Sequence, residues 1–347
     1  MELNIPHRSS AHCENGAISA LLRYHNIDLS EPMIFGLASG IFFSHIPFVK
    51  VSGMSLTSFR TYPGVLFKRI TKQLGIKTKT KRFFSTKRAM ERLDNLILKE
   101  KKPVGCVVGM YYLPYAPIEY RFHFNGHNIC IIGKDVENQE YSVLDSNVIG
   151  KVSINREDLI KIRFAKGGTY PLMGQMYWIE SVPKELPNLT PLIFRSILKS
   201  CRSMIPRVKW GHYSGVSGIF YLAKRIMSWE SKYGERGAKL ELAQIIRMLE
   251  EIGTGGAGFR FIYGAFLQEV SKITGLVRYN EFSKKITEIG DLWRFFAYTG
   301  SRIIKKRKGE NYTFEDLSKL LIEIANEEKS FFTSLKKYTL KEIENER

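Results

Sequence analysis

The chain is poor in cysteine: Cys13, Cys106, Cys130 and Cys201 are too few and too scattered for a disulfide framework, and none forms a Cys-x-x-Cys pair of the metal-binding kind. No bound metal or cofactor is therefore expected. No run of about 18 apolar residues occurs, so no segment reads as a membrane span. The opening Met1-Glu2-Leu3-Asn4-Ile5-Pro6 lacks the basic region and apolar stretch of a secretory signal, which makes the cytoplasm the default location, with no membrane partner. There is no repeat of fixed period and no low-complexity tract. Acidic residues are scarce, 34 against 53 Lys+Arg, for a formal net charge of +19. What is present is globular: 347 residues at 44% hydrophobic content can bury a full core, in one large or two ordinary domains.

The charge invites a nucleic-acid or other non-enzymatic binding reading, which its distribution tests. Residues 1–187 carry 25 Lys+Arg against 16 Asp+Glu, and residues 188–347 carry 28 against 18, so there is no basic tail. General basicity of this kind also follows from a Lys- and Ile-rich composition, and nucleic acid is not the expected partner. Residues 50–102 are different, with 15 Lys+Arg against 3 acids.

Apolar spacing predicts a helix from Cys13 to about Asn26, with Ala17, Leu21 and Tyr24 on one face. A second starts at Ser30-Glu31-Pro32, with Ser30 as cap and Pro32 in the first turn. Further helices are expected over 64–74, closed by Gly75, and 86–99. Strands follow at 104–112, 127–133, 141–144, 151–154 and 175–179. Pro183, Pro187 and Pro191 then punctuate the chain, after which helices are predicted near 191–204, 215–233, 238–252, 258–274, 280–306 and 313–338. The expected class is α+β, an antiparallel-sheet domain over 1–187 followed by an all-α domain over 188–347.

His12-Cys13-Glu14-Asn15-Gly16 puts a cysteine at a helix start, where unpaired N–H groups and partial positive charge stabilise a thiolate. A buried helix cysteine is the commoner fate of an isolated Cys. Here two partners lie downstream, in Gly126-His127-Asn128 and Leu144-Asp145-Ser146-Asn147. A hairpin centred near residue 137 would set His127 opposite position 147 and diagonal to Asp145 on the same face. Asp145 would then fix the imidazole tautomer and leave the other ring nitrogen for Cys13. The chain order Cys, His, Asp is that of papain-like cysteine enzymes. His123, of the same strand parity, is the rival base, and Asn147 the weaker rival to Asp145. For the oxyanion, the Cys13 backbone N–H is available by position; papain-like proteases commonly place Gln six residues before the cysteine, and that position is His7, with Ser9, Ser10 and His12 as further candidates.

These motifs, with Ser30-Glu31-Pro32-Met33-Ile34-Phe35-Gly36-Leu37 and Tyr111-Tyr112-Leu113-Pro114-Tyr115, resemble the butirosin biosynthesis protein H family over about the first half of the chain. The second half, through Ile252-Gly253-Thr254-Gly255-Gly256-Ala257-Gly258-Phe259-Arg260, resembles the uncharacterised helical domain that often follows it. The resemblance implies a papain-like fold and an acyltransferase that moves an acyl group from the phosphopantetheine thioester of an acyl carrier protein to a small-molecule amine. A peptidase or amidase of the same fold is the alternative. The family pattern has an Asp where this chain has Gly109, which leaves room for a different acceptor. Since carrier proteins are typically acidic, the basic segment becomes a candidate docking face, with Lys68, Arg69, Lys72, Lys87, Arg88 and Arg92 as its contributors.

Two other motifs carry less. Gly253 to Gly258 fits the letters of a dinucleotide fingerprint but should follow a strand, whereas it follows a predicted helix; a glycine-rich joint between helices is expected. Trp293, Phe295, Phe296 and Tyr298 read as helix core, and Lys305-Lys306-Arg307-Lys308 as a basic helix end.

Overall fold

The computed structural model describes residues 1–51, 53–117, 123–167, 171–206, 209–306 and 312–345. The chain opens with α1 (Cys13–Tyr24) and α2 (Glu31–Leu37), then forms a hairpin of β1 (Ile41–Val51) and β2 (Met54–Arg60). It continues through α3 (Val65–Gln73), β3 (Lys77–Lys81) and α4 (Thr86–Asp94), which runs on as one wider π turn over Asn95–Lys99. Strands β4 (Val104–Gly109), β5 (Asn125–Asp135), β6 (Glu140–Leu144) and β7 (Lys151–Asn155) follow, then α5 (Arg156–Arg163) and β8 (Met176–Ser181). The remainder is helical: α6 (Leu189–Met204), α7 (Gly215–Ile226), α8 (Trp229–Glu250), α9 (Arg260–Thr274), α10 (Arg278–Lys305) and α11 (Phe314–Asn345).

The protein is thus mixed α/β with antiparallel sheets and a helical C-terminal region. It divides into two compact units, one of Met1–Ile34 and Pro63–Pro187, the other of Phe35–Tyr62 and Asn188–Arg347.

In the first unit six strands lie in the order β3-β8-β4-β5-β6-β7, every neighbouring pair antiparallel. The central strands β4 and β5 are buried along nearly their whole length, because helices cover both faces and leave no solvated side for polar alternation. One face supplies Cys106, Val108, Ile129, Ile131, Met176 and Trp178 to a core closed by Met90 and Leu93 of α4 and Leu159 and Ile162 of α5. Helix α1 packs on β5. Ser85 caps α4 by accepting from the Arg88 N–H, and Asn155 caps α5 through the Asp158 N–H.

Three strands escaped the hydrophobic pattern. β3 reads Lys-Thr-Lys-Thr-Lys, with no apolar residue to alternate; it is the edge strand beside β8, where lysines discourage pairing with another chain. The β1–β2 hairpin spans a stretch with no predicted element, and its register shifts between Ile46 and Lys50 around Pro47, which has no N–H for the ladder.

Residues 35–62, which the sequence reading placed within 1–187, cluster with the helices of the second unit. There Phe43 and Phe59 pack on Trp293 of α10, and a Cβ at Gly36 would fall 2.2 Å from the Phe266 ring. The Gly253–Gly258 segment is the expected joint between α8 and α9, with positive φ at Gly253, Gly255, Gly256 and Gly258. Arg260, fully buried, forks onto Glu328 at 2.8 and 3.1 Å, and Glu328 also accepts from the Trp293 indole. Trp293 and Phe296 are core, but Phe295 and Tyr298 are exposed, so only half of that aromatic run is interior. The break expected between residues 233 and 238 falls instead between α7 and α8, and Gly234 kinks α8. Of the basic run 305–308, residues 307 and 308 lie outside the described residues.

Candidate active site

Helix α1 begins at Cys13, and the turn that delivers the cysteine is clamped from α2. The Glu31 carboxylate accepts the amides of Ala11 and His12 at 2.9 and 2.8 Å and the Asn15 side chain at 3.4 Å. Burial pushes the Glu31 carboxyl up, against the pull of these donors. Glu14, also buried, accepts the Gly64 N–H at 3.0 Å and so joins α1 to the start of α3.

Opposite the cysteine stands β5. Cys130 pairs with Leu144 and Ile131 with Val143, and extending that register sets His127 across from position 147, as the sequence spacing predicts. His127 Nε2 lies 2.7 Å from Asp145 Oδ2, and the imidazole also hydrogen-bonds Cys13. With Nε2 committed to Asp145, Nδ1 is the ring atom left for the sulfur. His127 and Asp145 are 2% and 1% exposed while Cys13 is half-buried, so an incoming carbonyl can reach the sulfur but water cannot bathe the pair behind it.

Burial alone would lower the His127 pKa; the negative Asp145, its hydrogen bond and the bond and charge of Cys13 overturn that and push it up to about 10. Burial likewise works against the Asp145 carboxylate, yet His127, the Asn147 N–H at 2.9 Å and the Tyr115 hydroxyl at 3.0 Å hold it below the usual range. Both directions describe an imidazolium–carboxylate pair. Tyr115 stays a donor, since burial and Asp145 push its hydroxyl well above 10.

His7 Nε2 lies 2.9 Å from the Asp145 carbonyl, which can only accept, so this N–H is committed to the Asp145 loop and not to an oxyanion. His12 is buried, and its amide serves Glu31. The rival base His123 is exposed and stacks on Tyr111 with centroids 4.1 Å apart; Asp145 bonds His127 instead. Asn147 contributes its backbone, as a support of Asp145 and not its substitute. A Cβ at Gly109 would lie 2.7 Å from Ala165 Cβ and 2.9 Å from Asn125 Oδ1, so this position has no room for the Asp side chain that the resemblance led one to expect.

Of the basic residues, Lys68, Lys72, Lys87 and Arg88 are exposed. Arg92 is not available: it pairs with Glu100 and lies over the Trp178 ring at 5.1 Å. Arg69 is half-buried, which lowers its pKa. Among the described residues no group of three or more His, Cys, Asp and Glu could hold a metal ion, and no helix is long and apolar enough to cross a membrane. Sequence reasoning missed Glu31, Tyr115, Asn128 and Tyr177 as parts of this site; tertiary contact brings each to it.

Two family models match the chain in tandem. Butirosin biosynthesis protein H, N-terminal, matches residues 12–146, and Domain of unknown function (DUF4872) matches residues 157–335. The chain belongs to the family of Domain of unknown function (DUF4872), whose match spans just over half of it, and carries a butirosin biosynthesis protein H, N-terminal, domain ahead of that match. The first match starts one residue before Cys13 and ends one residue after Asp145, so it encloses the whole His127-centred cluster. The second takes in most of the helical region, from α5 into α11. No curated protein matches the chain.

Proposed function

We propose that this protein is a papain-like cysteine acyltransferase, in which Cys13 takes an acyl group from a carrier-protein thioester and passes it to a small-molecule amine. The observation that carries this reading is His127 bonded on one side to Asp145 and on the other to Cys13 at a helix start. The match to a family named for butirosin biosynthesis supports a biosynthetic enzyme.

The Cys13 thiolate attacks the thioester carbonyl, and the carbonyl π pair moves to oxygen. Collapse of that tetrahedral species breaks the C–S bond to phosphopantetheine, whose sulfur leaves as a thiol with the proton of His127. The amine then attacks the acyl–Cys13 carbonyl, gives its proton to the now neutral His127, and expels Cys13 as thiolate. The imidazolium–thiolate pair is thereby restored. Asp145 stays ionised throughout and holds the ring. The first-turn amides of α1, Cys13 N–H foremost, have the position and the dipole to face the oxyanion.

For the donor, the exposed Lys68, Lys72, Lys87 and Arg88 would steer an acidic carrier toward the site. Intact mass of protein incubated with acyl thioesters tests the first half-reaction: a covalent adduct on Cys13 is expected. Product analysis with amines present tests the second, and free acid formed regardless of amine would make the protein a hydrolase.

A further inference from the structure

Beneath the Cys13 sulfur lies a carboxamide whose every polar handle is accounted for. Asn128 follows His127 on β5. One N–H of its Nδ2 donates to the Gly126 carbonyl at 3.1 Å, and Nδ2 also stands 3.9 Å from Cys13 Sγ. Its Oδ1 accepts the Tyr177 hydroxyl at 2.9 Å. Rotating the amide by half a turn would aim its oxygen at a carbonyl and a thiolate, two acceptors, so the partners dictate which end meets the sulfur.

Tyr177 is built to hold that orientation. Its ring lies against Gly105, where a Cβ would come within 2.3 Å of it, and against Phe67 at 4.6 Å. Burial, with the negative groups around it, pushes its hydroxyl well above 10, so it remains a donor across any working pH. Tyr177 and Asn128 are both buried, at 4% and 6% exposure, which shields their hydrogen bond from competition by water.

We propose that Asn128 is a further catalytic residue: its carboxamide, oriented by Tyr177, donates to Cys13 Sγ and stabilises the negative sulfur released when the acceptor amine expels it. The inference rests on Cys13 being the nucleophile. In that step the amine nitrogen bonds the acyl carbon, the C–S bond breaks, and its electron pair settles on Sγ. The amine proton goes to His127. A donor at sulfur makes Cys13 a better leaving group and enlarges the thiolate fraction of the resting enzyme. Tyr177 does not touch the reacting atoms and is a positioning residue.

The test reads the Cys13 thiol directly, as the pH dependence of its alkylation by iodoacetamide in the full chain. Asn128→Ala is expected to raise the thiol pKa by about one pH unit, so that the midpoint of the alkylation profile moves to a tenfold lower proton concentration. Tyr177→Phe is expected to move it the same way by less, because the amide keeps its nitrogen but loses the bond that aims it. In acyl transfer, both variants should slow amine-dependent release of the acyl group more than they slow acylation. An unmoved thiol pKa in either variant, with circular dichroism unchanged, overturns the proposal. Should Asn128→Ala fail to fold, Tyr177→Phe still decides. A shifted thiol pKa in a protein that never forms an acyl adduct would support the Asn128 contact while sinking the proposed function.

Discussion

Replacing Asp145 by Asn removes one charge from the site and little volume, so its consequence follows from His127. In the native protein the imidazolium survives to about pH 10 despite full burial, with the Asp145 charge and hydrogen bond the leading opponents of desolvation. Without that charge, the ring should titrate near or below its ordinary value of 6.5, a drop of three pH units or more. At pH 8 the protonated fraction then falls from about 99% to about 3%, so expulsion of the donor thiol, which takes its proton from His127, slows roughly 30-fold. Stability moves with it. A raised histidine stabilises fully below its unfolded pKa of about 6.5 and loses that contribution as pH climbs through about 10, an upper figure of about 4 kcal/mol at pH 7. Asp145, held low, works in the opposite sense: its contribution is present above its ordinary 3.8 and is lost as pH falls through the folded value. The stability gap between the two proteins should therefore be widest between about pH 4 and pH 6.5 and shrink on either side. Single-turnover thiol release from a small thioester over pH 5–10, with a ¹⁵N-histidine titration of His127, measures both. An alkaline limb that stays in place in Asp145→Asn would refute the assignment of His127 as the acid held by Asp145.

Cys13→Ala should abolish the acyl adduct in intact-mass measurements while leaving the melting temperature within a few degrees, because the site is half-buried and the substitution small; persistent acylation would move the nucleophile elsewhere. His127→Ala should cost at least a hundredfold in turnover and His123→Ala little, since only the former bonds Cys13 and Asp145; equal losses would undo that distinction. Charge reversal at Lys68, Lys72 and Arg88 together should raise KM for a carrier-bound donor and spare a small free thioester, with an effect that fades as salt rises. If carrier-bound turnover ignores both the substitutions and the salt, this face is not where the donor docks. Glu328→Ala should destabilise the chain by about 3–5 kcal/mol in chemical denaturation, because it strands the fully buried Arg260.

The site was legible in sequence to the extent that local rules place its parts. Cys13 at a helix start and the His127–Asp145 diagonal both follow from periodicities of one element or one hairpin, and the β5–β6 register near the site runs as that arithmetic requires. What was not legible depends on contacts between distant segments. Tyr115 reaches Asp145 from a loop, Tyr177 reaches Asn128 from a strand 49 residues on, and Glu31 turns back onto the amides before α1. The partner of His7 was not legible for the same reason: position relative to Cys13 says nothing of the Asp145 carbonyl, 138 residues away, that its ring bonds. In the fold, β3 went unseen because an edge strand of alternating Lys and Thr has no apolar face, and Arg92 looked exposed by helical spacing until Glu100 and Trp178 claimed it.

The hairpin of β1 and β2 has a consequence in time. Phe43 and Phe59 find their partner in Trp293, roughly 230 residues further along. At ribosomal speeds of about 5–20 residues per second, that partner is translated some 10–50 seconds after the hairpin itself. For that interval the nascent chain holds two aromatic side chains that have each other but not yet Trp293, while α1, with Cys13 at its head, has already been made. Vectorial synthesis thus imposes a waiting period that refolding of the complete chain never meets, and a message ending after residue 187 would make the wait permanent.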